Sequence, residues 1–283
     1  VNPRLVYGSI SGFGQTGPYG KRPGVDQITQ GMGGLMSITG LPGQGPVRVG
    51  IPICDLTSGI FLAQGILMAL LDRETTGEGQ WVHTSLLESI IQMLDFQGAR
   101  WLIEGEVAPQ AGNNHPTGTP TGVFPTSDGH INIAAAGTNL FDRMNKAMGA
   151  DDLATDERFR TGDGRTKHRE EINERISVHS RKKTSDEWIE ILNDAGVPCG
   201  PIYSIDQMFA NEQVEHLGIA KSIIHARLGE LKIVGQAINL TETPQPDTLR
   251  RATPDLGEHT DDILKELGYD DAKIAALHEN SIV

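Results

Sequence analysis

Cysteine is nearly absent from this chain: Cys54 and Cys199 are the only two in 283 residues. Without CxxC spacing they exclude a disulfide framework and point to a reducing, cytoplasmic compartment. Positive charge is scarce too. Lys and Arg number 24 against 37 Asp and Glu, a formal net charge of −13, and the scattered cations exclude a nucleic-acid-binding surface, which needs them clustered against phosphates. Long apolar runs are missing; the longest, from Gly59 to Leu71, contains Gln64 and is too short to cross a bilayer, so no membrane partner is expected. None of the nine histidines has HxxxH or HExxH spacing, which leaves metal ligation unsupported. Serine-nucleophile chemistry lacks its motif as well, because Gly8-Ser-Ile-Ser-Gly12 puts Ile10 at the centre of a would-be GxSxG elbow. No initiator Met or signal peptide opens the chain. Val1-Asn-Pro-Arg-Leu-Val-Tyr runs directly into a strand pattern, which reads as a fragment cut in front of a mid-domain strand.

What remains is an ordinary globular composition, 37% hydrophobic and 22% charged, enough for one large or two medium domains. Residues 1 to about 97 alternate strand and helix, which favours an α/β fold with a parallel sheet. The pattern places strands at Arg4–Ser9 and Gln80–Ser85, a helix near Gln27–Leu35 and another from Leu86. A Gly/Pro/Asn-rich stretch, Ala108 to Gly122, marks a change of composition. Beyond it, Val123 to Ala134 reads as a hairpin turning at Asp128-Gly129, followed by helices at Leu140–Met148, Arg169–His179 and Ser185–Ala195. The charge run Arg165–Glu174 reads as a solvated helix face. A strand pair near Ile223–Ile238 and helices at Asp261–Leu267 and Asp271–His278 complete the chain.

One carboxylate has surroundings suited to chemistry. In Arg48-Val-Gly-Ile-Pro-Ile-Cys-Asp-Leu-Thr-Ser-Gly59, a strand-like alternation (Val47, Val49, Ile51, Ile53) leads to Asp55 at the mouth of a helix whose apolar residues run nearly all round. Asp is a common N-cap, and from spacing alone a plain cap is the default reading of Asp55. Asp26, in Gly24-Val-Asp-Gln27, reads as another cap. The loop Gly12-Phe-Gly-Gln-Thr-Gly17 matches GxGxxG, yet Pro18-Tyr19-Gly20 follows where a phosphate-binding helix should begin, so a nicotinamide-dependent oxidoreductase is a minor alternative. Lys21-Arg22-Pro23 ends that loop with two cations.

Several segments together resemble the class III CoA-transferases, the family of formyl-CoA transferase, carnitine CoA-transferase and α-methylacyl-CoA racemase. They are Asn2 to Tyr19, Arg22-Pro-Gly-Val-Asp26, the Asp55 run, Thr76-Gly-Glu-Gly-Gln-Trp-Val82, Gly112 to Gly129, Ala195-Gly-Val-Pro-Cys-Gly-Pro201 and Pro254-Asp-Leu-Gly-Glu-His-Thr260, in the family's order. The resemblance implies a Rossmann-like large α/β domain, incomplete here, a smaller α+β domain, and an interlocked homodimer. Mapped onto this chain, residues 1–86 and 236–283 form the large domain, 87–110 a linker helix, 111–211 the small domain and 212–235 a second linker. It implies a transferase moving CoA between an acyl-CoA and a small carboxylic acid, with Asp55 as nucleophile and CoA as substrate rather than as a resident cofactor. Arg22, Gly24, Val25, Asp26 and Gln27 correspond to part of the CoA contact, with Gly24 where formyl-CoA transferase has Lys. The family's racemase branch places a His before the Asp of a Gly-His-Asp motif; here that position is Val25, which favours transfer over racemisation. The glycine-rich catalytic lid is not matched by Gly112-Asn-Asn-His-Pro-Thr-Gly-Thr-Pro120, so formyl-CoA and oxalate are not the expected substrates. Arg48, seven residues before Asp55, stands either toward an acceptor carboxylate or toward solvent.

Overall fold

A computed structural model describes residues 2–283, and the chain divides at Ile202/Tyr203 into two compact units. In the first unit, β1 (Tyr7–Ser11) pairs in parallel with β2 (Trp81–Ser85), in register from Tyr7 opposite Trp81 to Ser11 opposite Ser85. Between them run α1 (Asp26–Met32), α2 (Leu35–Ile38) and the long α3 (Ile53–Thr76). Helix α3 stops at Gly77, whose φ of 76° turns the chain into the left-handed region that a C-terminal glycine supplies without strain. Helix α4 (Leu86–Met93) starts directly from β2, because the buried Ser85 hydroxyl accepts from the Glu88 N–H and donates to the Glu88 carboxylate. Then come α5 (Phe96–Ala99) and a π-helical turn over Arg100–Glu104.

The alternation expected before Asp55 does not make a strand: residues 47–52 are irregular. Pro46, Gly50 and Pro52 interrupt the run, and proline gives no ladder N–H. Nor is α3 buried nearly all round. Cys54, Thr57, Ser58 and Ala69 are its buried residues, whereas Ile60 and Leu71 are 66% and 73% exposed. With 24 residues and a mean hydropathy of 1.7 over an 18-residue stretch, α3 is long and apolar enough to cross a membrane by length and composition. Its buried side packs on β1, β2 and α4.

The same unit carries an antiparallel sheet in the order β3-β4-β5, formed by β3 (Thr121–Pro125), β4 (His130–Ala134) and β5 (Cys199–Pro201). The hairpin turns at Asp128-Gly129 as its sequence predicts. Helices α6 (Thr138–Met148), α7 (Asp151–Ala154), α8 (Gly162–Lys167), α9 (Arg169–Ser180) and α10 (Ser185–Asp194) enclose a core centred on Ile131, Ile133, Phe159, Ile176 and Trp188. The cap of α10 is Thr184, in a reciprocal box with Glu187. The charge run is not wholly a solvated face. Arg165 is buried, and its guanidinium donates to the carbonyls of Thr119, Phe159 and Ala136 at 3.0, 2.8 and 2.5 Å.

The second unit contains α11 (Ile205–Phe209), α12 (Glu212–Leu217), β6 (Ala220–His225), β7 (Gly229–Val234), β8 (Thr248–Leu249), α13 (Thr260–Glu266) and α14 (Asp271–Glu279). Strand β6 is central, antiparallel to β7 and parallel to β8. The architecture is mixed α/β, with one parallel pair in each unit and antiparallel pairing between the remaining neighbours.

Candidate active site

Asp55 is the third residue of α3, not its cap; Pro52 holds the cap position and makes no side-chain cap bond. The carboxylate is exposed and has no hydrogen bond or ion pair with the described residues. At the start of α3, the Ile53 N–H donates to Ile51 O, the Leu56 N–H to Pro52 O and the Cys54 N–H to Asp26 Oδ1. The Asp55 N–H has no acceptor among the described residues. A free amide donor and a free carboxylate thus stand together at the positive end of a 24-residue helix, where negative charge is favoured.

Asp26 is the correction on the neighbouring helix. It does not cap α1; its buried carboxylate instead caps α3 from outside, with Oδ1 accepting from Cys54 N–H at 3.0 Å. Its Oδ2 accepts from Gln30 Nε2 at 2.8 Å and pairs with Arg48 Nη2 at 3.2 Å. Arg48 is therefore turned to Asp26, with its side chain still 39% exposed. Gln30 carries no signal of function in sequence except its place four residues after Asp26 on one helix face. It is fully buried and holds the irregular lead-in, accepting from Val49 N–H at 3.0 Å and donating to Ile51 O at 3.2 Å.

The other residues matched to a CoA contact fall around a folded loop. Val25 and Gln27 are exposed at the start of α1, and the Arg22 guanidinium stacks on Tyr19 at 3.6 Å from the ring centroid. Gly24 meets Gly12 backbone to backbone: a Cβ on Gly24 would lie 2.7 Å from Gly12 Cα. That contact leaves no room for a side chain at position 24. It also gives the Gly12 loop a packing role, and no helix begins between Gly17 and α1, so a dinucleotide-binding loop is not formed. Gly24→Ala is expected to lower stability by about 2 kcal/mol by forcing the two backbones apart. A urea titration of the variant checks this, and an unchanged midpoint would refute the contact's importance.

The cysteines offer no rival nucleophile. Burial pushes the Cys54 thiol up, and burial pushes Cys199 up to about 11, so neither is a ready thiolate. No group of three His, Cys, Asp or Glu capable of holding a metal occurs among the described residues. A cavity of about 880 Å³ is lined entirely by second-unit residues such as Phe209, Val214 and Lys232. Its mostly apolar wall includes one carboxylate, Glu215, whose backbone N–H is bonded to Asn211 O. Asp55 has an N–H free among the described residues beside its carboxylate, so the open Asp55 surface is the better candidate on chemical grounds.

The chain matches the model of CoA-transferase family III over residues 1–260. It is 37% identical over 267 residues to succinate–glutarate CoA-transferase of Agrobacterium fabrum, covering 94% of this chain and 66% of that protein. To an acyl-CoA transferase of Fusarium pseudograminearum it is 36% identical, covering 100% and 62%. The chain thus spans about two thirds of the length of these curated relatives. Among solved structures, a CAIB/BAIF family protein from Brucella suis superposes with a TM-score of 0.78 at 32% identity, covering 94% of this chain and 68% of that one. The α/β scaffold carrying Asp55 and the match across nearly the whole chain agree, and the chain belongs to CoA-transferase family III.

Proposed function

We propose that the protein transfers CoA from an acyl-CoA to a small carboxylic acid, with Asp55 as covalent relay. The observation that carries this reading is the exposed Asp55 carboxylate, free of partners among the described residues, in the first turn of α3. A carboxylate relay carries thioester-level activation through the transfer as an anhydride and a thioester, provided water is kept from both. An Asp55 oxygen attacks the thioester carbonyl, the C–S bond breaks, and a mixed anhydride and CoA thiolate form. The thiolate attacks the Asp55 carbonyl carbon, releasing the donor acid and leaving aspartyl-CoA. The acceptor carboxylate then attacks that thioester, and the released thiolate attacks the acceptor's acyl carbon. Acyl-CoA departs and Asp55 is free again. The Asp55 N–H and the helix terminus favour the oxyanions formed in these steps.

Arg22, Val25, Gln27 and the Gly24 backbone are proposed to meet CoA; the Asp26 carboxylate, taken up inside the protein, supports this segment rather than touching ligand. The A. fabrum relative is named for succinate and glutarate, and the half-exposed Arg48 cation suits a dicarboxylate substrate. The exposed apolar stripe of α3 supports burial in a Rossmann-like assembly and an interlocked homodimer, and the two unbridged cysteines support a cytoplasmic setting.

Quenching a reaction of the intact protein and succinyl-CoA with hydroxylamine should convert Asp55 to a hydroxamate found by peptide mass spectrometry. Turnover with an unmodified Asp55 would contradict the relay. Racemisation would instead give α-deuterium in the acyl-CoA in heavy water without any acceptor acid, and Val25 offers no second base for it.

A further inference from the structure

We infer that Gln30 is a positioning residue for the Asp55 reaction, its buried carboxamide setting the backbone that presents the carboxylate. This rests on the reading of Asp55 as nucleophile. Among the described residues the segment Arg48–Pro52 has no strand partner, so its polar backbone groups need another source of hydrogen bonds. Gln30 supplies two of them, to the Val49 N–H and the Ile51 carbonyl. Its third bond, to Asp26 Oδ2, orients the carboxylate whose other oxygen accepts from the Cys54 N–H, next to Asp55. Arg48 closes the bracket on the same Asp26 oxygen.

Every one of these contacts falls on α1 or on residues 48–54. A buried amide is costly unless all its hydrogen bonds are made, and an apolar side chain of the same length would fill the space. The polar choice therefore fixes orientation: it locks the rotation of the first turn of α3 and with it the direction of the Asp55 carboxylate. Nearby α3 residues Thr57 and Ser58 bond only within their own helix or to Ser85 and give no such control.

The test compares Gln30→Met with the intact protein. In a single turnover with succinyl-CoA, the hydroxylamine-trappable Asp55 adduct should form about 100-fold more slowly, the penalty expected for a displacement of about 1 Å at a reacting group. CoA affinity by calorimetry should stay within about threefold, since direct ligand contacts remain. Amide hydrogen exchange at Cys54 should accelerate while that of α9 and α10 stays unchanged. If Gln30→Met does not fold, Arg48→Met, altering the partly exposed end of the bracket, decides the matter through the ligand-free protein: amide exchange at Cys54 should accelerate, and unchanged exchange overturns the inference. A wild-type rate of adduct formation per folded molecule, or loss of rate and CoA binding in equal proportion, would overturn the inference. If the wild-type protein turns over without an Asp55 adduct, the nucleophile assignment falls; exchange at Cys54 then judges the bracket alone, and unchanged exchange overturns it.

Discussion

Asp55→Asn is expected to lower CoA transfer by about 10⁴-fold or more while leaving the protein folded, because an amide cannot form an anhydride and the relay acts as a unit. The size of the loss follows from chemistry. Residual turnover would have to pass through direct attack of the acceptor acid on the thioester, with only binding and the helix-end electrostatics remaining. Retention of the fold follows from geometry. Asp55 is exposed and bonded to none of the described residues, so its replacement costs the favourable placement of a negative charge at a helix N-terminus, about 0.3–1 kcal/mol. The variant should therefore unfold close to the wild-type urea midpoint. Steady-state transfer and denaturation on the same preparation separate the two effects, and an Asn variant with a tenth of normal activity would be incompatible with a covalent relay.

The largest stability effect should come from Arg165→Met, at about 3–5 kcal/mol, a substantial part of the stability of an ordinary domain. Among the described residues, no carboxylate pairs with the Arg165 guanidinium. It holds three carbonyls, from Thr119, Phe159 and Ala136, that lie on three separate segments around the antiparallel sheet. Burial works against its charge and lowers the guanidinium's affinity for its proton. Methionine would relieve that desolvation, but it would leave three buried acceptors unpaired at about 1–3 kcal/mol each, and this second effect is the larger. Arg165→Lys should rescue little, since one ammonium cannot reproduce a planar fork across three acceptors. A urea midpoint within a few tenths molar of wild type would show that the carbonyls find other donors.

Periodicity located most elements: the hairpin at Asp128-Gly129, helices α6, α9 and α10, and the strand from Trp81 into α4 fall where local pattern places them. The strand pair of the second unit begins and ends a few residues earlier than its pattern suggests. Harder to read was anything fixed over distance. The Asp26 bond to the Cys54 N–H spans 28 residues, and no local spacing announces it. The lead-in to Asp55 alternates like a strand yet is held by a glutamine side chain, so hydrophobic pattern and hydrogen bonding point different ways there. Arg165 sits in a charge run whose composition describes its neighbours better than itself. Helix α3 illustrates the reverse case: its apolar residues suggest complete burial, whereas one face is exposed. Residue pattern alone leaves Asp55 a helix-end carboxylate. The family match then supplies the chemical context, and the free carboxylate and amide at the head of α3 supply the geometry that fits it.

The most direct test follows oxygen. In the proposed sequence, an oxygen of the acceptor carboxylate bridges the second anhydride and stays with the aspartate when CoA thiolate attacks the acceptor's acyl carbon. After one turnover with succinyl-CoA and glutarate labelled with ¹⁸O in its carboxylates, the peptide containing Asp55 should carry one ¹⁸O. Transfer of CoA with no label on Asp55 would contradict the relay.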